Sequence, residues 1–202
     1  MTLETRREPA KTRQPVMELI ARRWSPKAFG PEVPSGNELA SMFEAGRWAP
    51  SCFNNQPWRY LVTTRNDPGA FSRALACLTE KNASWVRNAP LLAFQVMRET
   101  FEYNGKPNPW SGFDCGLAMA QLIIQAEFMG WSVHVMAGFS RDRVRETFGV
   151  PEGFKPLVAF VIGREGDPHS LPPHFMEEET APRERKELEE TVFSDSWGKS
   201  LF

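Results

Sequence analysis

Arg22, Arg23, Ser25 and Lys27 fall within the six residues RRWSPK, directly after a short apolar-periodic stretch. A second polar group, Pro50, Ser51, Cys52, Asn54, Asn55 and Gln56, sets small side chains and amides beside prolines in APSCFNNQPW. A third, Arg183 and Arg185, lies in PRERKELEE. Guanidinium forks match phosphate oxygens in pairs, and amides match the donors and acceptors of a flat polar ring. Each group also has a plainer reading. Arginines at a helix end complement the helix dipole, and spacing alone does not choose between that role and phosphate binding for Arg22 and Arg23. Arg183 and Arg185, with Glu187 and Glu189, read more simply as a solvated helix face. Asn54, Asn55 and Gln56 are suited to satisfying their own loop.

Self-contained catalytic signatures are absent. The sequence has no GxGxxG, no GxxxxGK[ST] and no GxSxG, which removes the dinucleotide fingerprint, the P-loop and the usual nucleophile elbow. Its three histidines form no HxH or HExxH pair. His169 and His174 fall in a proline-rich stretch that does not preorganise ligands, and His134 in WSVHVM reads as a satisfied strand histidine. Cys52 has no histidine near it in sequence, so a nucleophile reading is minor. The polar groups therefore read as equipment for holding a cofactor that performs its own chemistry.

The elements that must position these groups can be read from periodicity. A helix is expected over residues 15–23, with Val16, Leu19 and Ile20 on one face. Ser35 and Glu38 have capping-box spacing for a second helix running to about Trp48. Pro50 and Pro57 then bracket an irregular loop. Residues 58–64 (WRYLVTT) read as a strand, 67–78 as a helix, 91–97 as a strand and 101–110 as a loop. Residues 111–130 are apolar nearly all round, the pattern of a buried helix. Asp114, Gln121, Gln125 and Glu127 interrupt the run, so it is not a membrane span. A strand over 131–136, a helix over 140–148 and a continuously apolar, central strand over 156–163 follow. A short helix is expected over 183–191.

The chain of 202 residues suits one domain. Residues 1–14 are expected as a flexible arm, and 15–202 as the domain with a C-terminal extension. Formal net charge is -1, which gives no electrostatic case for nucleic acid or an anionic membrane surface. Three cysteines without CxxC spacing fit reduced thiols, and no leader-like pattern opens the sequence, so a cytoplasmic protein is expected.

Taken together, RRWSPKAF, APSCFNNQPW, the run from Asp114 through Gly130 to VHVMAGF, and PRERKELEETVF resemble, in order and spacing, the nitroreductase family of FMN-dependent oxidoreductases. The resemblance covers about Met17 to Phe193. It implies an α+β fold, a mostly antiparallel sheet flanked by helices, in an intertwined homodimer with FMN at the subunit interface. It assigns Arg23 to the phosphate and Ser25 and Lys27 to the pyrimidine edge of the ring, with the neighbouring Arg22 and Trp24 also counted among the cofactor-binding residues. Pro50, Ser51, Cys52 and Asn54 would come from the partner chain. Asn82 would meet the pyrimidine edge, while Met136, Ala137 and Gly138 would present backbone to the ring, where a glycine allows close approach. Arg183 and Arg185 would complete the phosphate clamp, reversing the solvated-face reading.

The implied chemistry is ping-pong hydride transfer from NADH or NADPH through flavin N5 to an electron-poor small molecule, such as a nitroaromatic or quinone. A flavin storage or sensor module, and a flavin-dependent dehydrogenase or dehalogenase, are alternatives on the same fold. Trp24, Cys52 and Ala137 depart from the commoner family pattern, and the Glu99–Trp110 excursion is short.

Overall fold

A computed structural model describes residues 8–202. Helix α1 (Glu18–Arg22) is followed by α2 (Gly36–Arg47). The capping box at the start of α2 forms as the sequence suggests: Ser35 Oγ accepts from Glu38 N, and the Glu38 carboxylate accepts from Ser35 N at 2.8 Å. Strand β1 (Trp58–Thr64), helices α3 (Pro68–Leu75) and α4 (Glu80–Val86), and strand β2 (Leu91–Arg98) come next. Helix α5 (Ser111–Phe128), strand β3 (Ser132–Met136), helix α6 (Arg141–Phe148), strand β4 (Phe154–Gly163) and helix α7 (Pro173–Thr180) complete the order.

The strands form one sheet in the order β1-β2-β4-β3, antiparallel at every pairing. Its central strands divide their side chains between two layers, as the two-residue period of a strand requires. Leu91 and Ala93 on β2, with Phe160 and Ile162 on β4, pack with Met42 of α2 and Met119, Leu122 and Ala126 of α5. Leu92, Phe94 and Val96, with Ala159 and Val161, pack instead with Phe71 and Ala74 of α3, Trp85 and Val86 of α4, Val144 of α6 and Phe175 of α7. Burial on both faces explains the continuous apolar run of β4 and its central place.

Helix α5 lies on the sheet by one side only. Cys115, Ala118, Leu122 and Ala126 are fully buried, whereas Phe113 and Phe128 are 67% and 68% exposed. The expectation of a helix buried nearly all round is therefore corrected for the single chain: its second apolar face points outward.

Two helices escaped the periodicity. α4 (EKNASWV) is too short to show a stripe, and α7 (PHFMEEET) is anchored by two residues alone, Phe175 and Glu179. Conversely, residues 183–191 do not form the expected helix. The segment is irregular apart from a single 3₁₀ turn at Leu188–Glu190, closed by a box between Glu187 and Glu190. Ala10 N donates to Ala21 O at 2.8 Å, and Arg13 pairs with Glu189, so residues 10–13 lie against α1 and the tail. The rest of the expected arm, residues 1–7, lies outside the described residues. No helix among the described residues is long and apolar enough to cross a membrane.

Candidate functional site

The end of α1 turns the chain so that Arg22 and Arg23 leave it side by side. Arg22 pairs with Glu18 at 3.3 Å, and its Nε lies 4.0 Å from a carboxylate oxygen of buried Glu127. That Nε is buried and makes no hydrogen bond. Arg23 Nη1 donates to Ser25 Oγ at 3.2 Å. Arg183 arrives from the irregular tail and donates to the carbonyls of Ala21, Arg23 and Glu8, each at 3.0 Å, thereby closing the orphaned carbonyls at the end of α1. Exposed Arg185 joins the same cluster. Burial, then the charges of Arg185 and Arg183, lower the proton affinity of Arg23, only partly offset by Glu127.

Downstream, residues 24–28 are pinned by separate anchors. Trp24 Nε1 donates to Glu165 at 2.8 Å, which turns the indole toward β4's C-terminal end. His134 on β3 holds Pro26 O at 2.8 Å through Nδ1 and lies against Trp85, ring centroids 4.7 Å apart. Desolvation in that setting depresses the His134 pKa below its ordinary value, more than its backbone contacts raise it. The backbone N–H of Lys27 donates to Glu179 at 2.9 Å, and its ammonium pairs with Glu178 at 2.8 Å.

Strand β3 ends at Met136, which is buried in the core. Ala137 is exposed and Gly138 half-buried. Gly138 O accepts from Thr79 N at 3.0 Å, Thr79 Oγ1 at 3.1 Å and Asn82 Nδ2 at 3.0 Å. A Cβ at Gly138 would lie 2.5 Å from Asn82 Nδ2 and 2.9 Å from Thr79 Oγ1, so any larger residue would displace the side chains that hold this turn. The structure thus brings Asn82 to Gly138. Through Glu178 it also brings Lys81, beside Asn82 on α4, to within 3.8 Å of the carboxylate that holds Lys27.

The loop at 50–56 is held by other means. Phe53, Asn54 and Gln56 all have positive φ, of 52°, 51° and 45°. Such backbone is costly for residues other than glycine and persists only where neighbours enforce it. The enforcing contacts are clear. Cys52 N donates to Asp114 at 3.1 Å and Gln56 N to Ser51 Oγ at 3.0 Å. Buried Asn55 donates to Thr100 O at 3.2 Å and accepts from Glu102 N at 2.7 Å, clamping the loop to the 100–102 turn. Phe53 rests on Phe101 and Tyr103. Beside this loop runs an open cleft of about 400 Å³ lined by Pro50, Ser51, Cys52, Trp110, Phe113, Asp114 and Leu117. Burial raises the pKa of Asp114, against the opposing hydrogen bond from Cys52.

In one chain, then, the Arg23–Lys27 segment with Asn82 and Gly138 forms one grouping, and Pro50–Asn54 with Asp114 another. Asp114, Glu127 and Glu178 escaped the sequence reading of the site. Asp114 and Glu127 were legible as carboxylates in an otherwise apolar helix, a position that requires a specific partner; Glu178 sits in an acidic run and carried no such signal. Among the described residues, no group of histidine, cysteine or acidic side chains could hold a metal ion. All three cysteines are free thiols.

The nitroreductase family model matches residues 20–69 and 65–164. The chain belongs to the nitroreductase family, and membership places it among oxidoreductases. A solved structure described as an oxidoreductase containing FMN is 31% identical and superposes with a TM-score of 0.88, over 95% of this chain and 97% of that one. An uncharacterised 15.4 kDa protein of Mycolicibacterium smegmatis is 38% identical over 92 residues, 46% of this chain; the match spans 62% of that relative. YdgI of Bacillus subtilis strain 168, provisionally named an NAD(P)H nitroreductase, is 24% identical over 75% of this chain and 88% of its own length.

Proposed function

We propose that the chain is an FMN-dependent oxidoreductase that passes hydride from NADH or NADPH to an electron-poor small molecule. We further propose that it works as a homodimer with its sites at the subunit interface. The observation that carries the cofactor reading is the cluster of Arg23, Arg183 and Arg185, in which Arg23 donates to Ser25 a short step before Lys27. A phosphate would relieve the mutual repulsion of the cluster, which Glu127 offsets only in part. The similarity to a solved FMN-containing oxidoreductase and to YdgI supports the same cofactor and a nicotinamide donor.

The residues divide the work by chemistry. Arg23 binds the phosphate, with the positive charge of Arg183 and Arg185 behind it; Arg183 also fixes the end of α1 by its carbonyl bonds. Ser25 and Lys27 orient the polar edge of the ring. Asn82 and Thr79 hold the Gly138 peptide so that its backbone approaches the ring without an intervening side chain. When bound, FMN supplies two-electron chemistry that no side chain provides. Pro50–Asn54 line the ring of the other subunit's site. The outward faces of α1 and α5, with Met17, Ile20, Phe113 and Phe128 exposed, are the apolar surface that a second copy would cover.

Purified protein is expected to bind one FMN per chain and to bleach in its flavin absorbance bands when NADH or NADPH is added without oxygen. A quinone or nitroaromatic then restores the colour. Protein that stays colourless after FMN is added, or that holds FMN which neither nicotinamide reduces, overturns the reading.

A further inference from the structure

Lys27 is gripped by one helix at two points. Its ammonium lies 2.8 Å from one carboxylate oxygen of Glu178, while its backbone N–H and that of Ala28 donate to Glu179 at 2.9 and 3.3 Å. Both glutamates belong to α7, which is fixed in the core by fully buried Phe175. The same Phe175 ring lies under Lys27 and Lys81, their ammonium nitrogens 5.7 and 6.0 Å from its centroid. The second oxygen of Glu178 is 3.8 Å from Lys81. One carboxylate is therefore shared unequally by two lysines. Lys27 is the nearer and the less exposed, its side chain 17% exposed against 69% for Lys81.

Reduction of a flavin places negative charge on the pyrimidine side of its ring, so a cation there favours the reduced state. A carboxylate in contact with that cation weakens the effect. The attenuation is strong where the lysine is shielded and moderated where solvent reaches the carboxylate. We propose that Glu178 is a positioning residue that holds the Lys27 ammonium and offsets its charge, so that α7 sets the reduction potential of the bound cofactor. Lys81 opposes this by drawing the same carboxylate away. The inference rests on the FMN reading and on Lys27 facing the ring.

The test is the midpoint potential of FMN-loaded protein, measured by equilibration with a reference dye. Glu178→Gln is expected to raise the preference for reduced over oxidised FMN about tenfold, which for a two-electron couple is an upward shift of about 30 mV. Lys81→Met leaves Glu178 wholly to Lys27 and is expected to shift the potential downward by a smaller amount. In a Lys27→Met background, Glu178→Gln is expected to give a smaller upward shift, since only the direct field of the carboxylate is then removed. An unchanged potential in FMN-loaded Glu178→Gln overturns the inference and leaves the FMN reading standing, as does a shift of undiminished size in the Lys27→Met background. If wild-type protein binds no FMN, both fall together. Should Glu178→Gln not fold, the direction of the Lys81→Met shift decides, and an upward or absent shift overturns the proposal.

Discussion

Residues 22–27 and residues 50–56 are both polar, both follow a helix and both belong to the candidate site, yet they are built on different physics. The first segment gathers like charges. Arg23 is half-buried beside Arg183 and Arg185, and its lowered proton affinity measures how poorly the chain alone satisfies it. The second carries no charged side chain at all. Its cost lies in the backbone, with three non-glycine residues at positive φ held by Asp114, Asn55 and the 100–102 turn. On the proposed reading, one region is completed by a ligand of opposite charge, and the other is a wall whose shape is fixed in advance. Charge alone is not selective, and a preformed wall alone has little affinity, so each region supplies what the other lacks.

The contrast is broken most sharply at Arg23. Arg23→Met is expected to weaken FMN binding about 10- to 100-fold, the loss of a charge-assisted hydrogen bond of about 1.5–3 kcal/mol. The cofactor-free protein should be no less stable, because a repelled cation is removed. Titration of FMN and thermal melting without it check the two halves of that statement. The opposite pattern is expected in the loop. Asn55→Ala leaves Thr100 O and Glu102 N without partners and should lower stability by about 1–3 kcal/mol. It should change the affinity for inorganic phosphate little, since the cationic cluster is untouched. Denaturant melts and phosphate titration distinguish this from a general collapse of the site.

A smaller effect should come from His134, which fixes Pro26 and hence the first segment. Its folded pKa lies below its unfolded value, about 6.5. Between those two values the unfolded chain binds more protons, so the contribution is complete above about pH 6.5 and is lost as pH falls toward the folded pKa. Melts from pH 8 to pH 5 should show this decline, and His134→Gln should remove that part of the slope. A slope unchanged in the variant would assign the decline to other groups.

Much of the fold was legible in the sequence wherever one element buries a regular face. β1 matches its expected bounds, α2 begins at its capping box, and the unbroken apolarity of β4 follows from its place between two packed layers. α4 and α7 were not legible, since neither has a side-chain N-cap of the kind that Asp67 and Ser140 give the comparably short α3 and α6. α5 was read correctly as a helix and wrongly as fully buried, because an apolar face looks the same in sequence whether its own chain or another covers it. Of the site, Arg22, Arg23 and the amide loop could be picked out by residue type, whereas the roles of Gly138, Arg183 and Arg185 came only from the resemblance. Positive φ at Phe53 and Gln56 could not be, as neither residue favours it. Nor could the pairing of Lys27 with Glu178, residues far apart in sequence that meet only when α7 docks through Phe175.

In the proposed dimer the two regions act on the same cofactor only when they come from different copies of the chain. This is tested most directly by mixing two inactive variants, Arg23→Met and one carrying Ser51→Ala with Asn54→Ala, after dissociating and reassociating the subunits. The account predicts that each variant alone binds FMN poorly, and that mixed dimers regain one tight site, with both lesions confined to the other. Mixtures that bind no better than the average of the two variants, or a monomeric wild-type chain that binds FMN tightly, would contradict it.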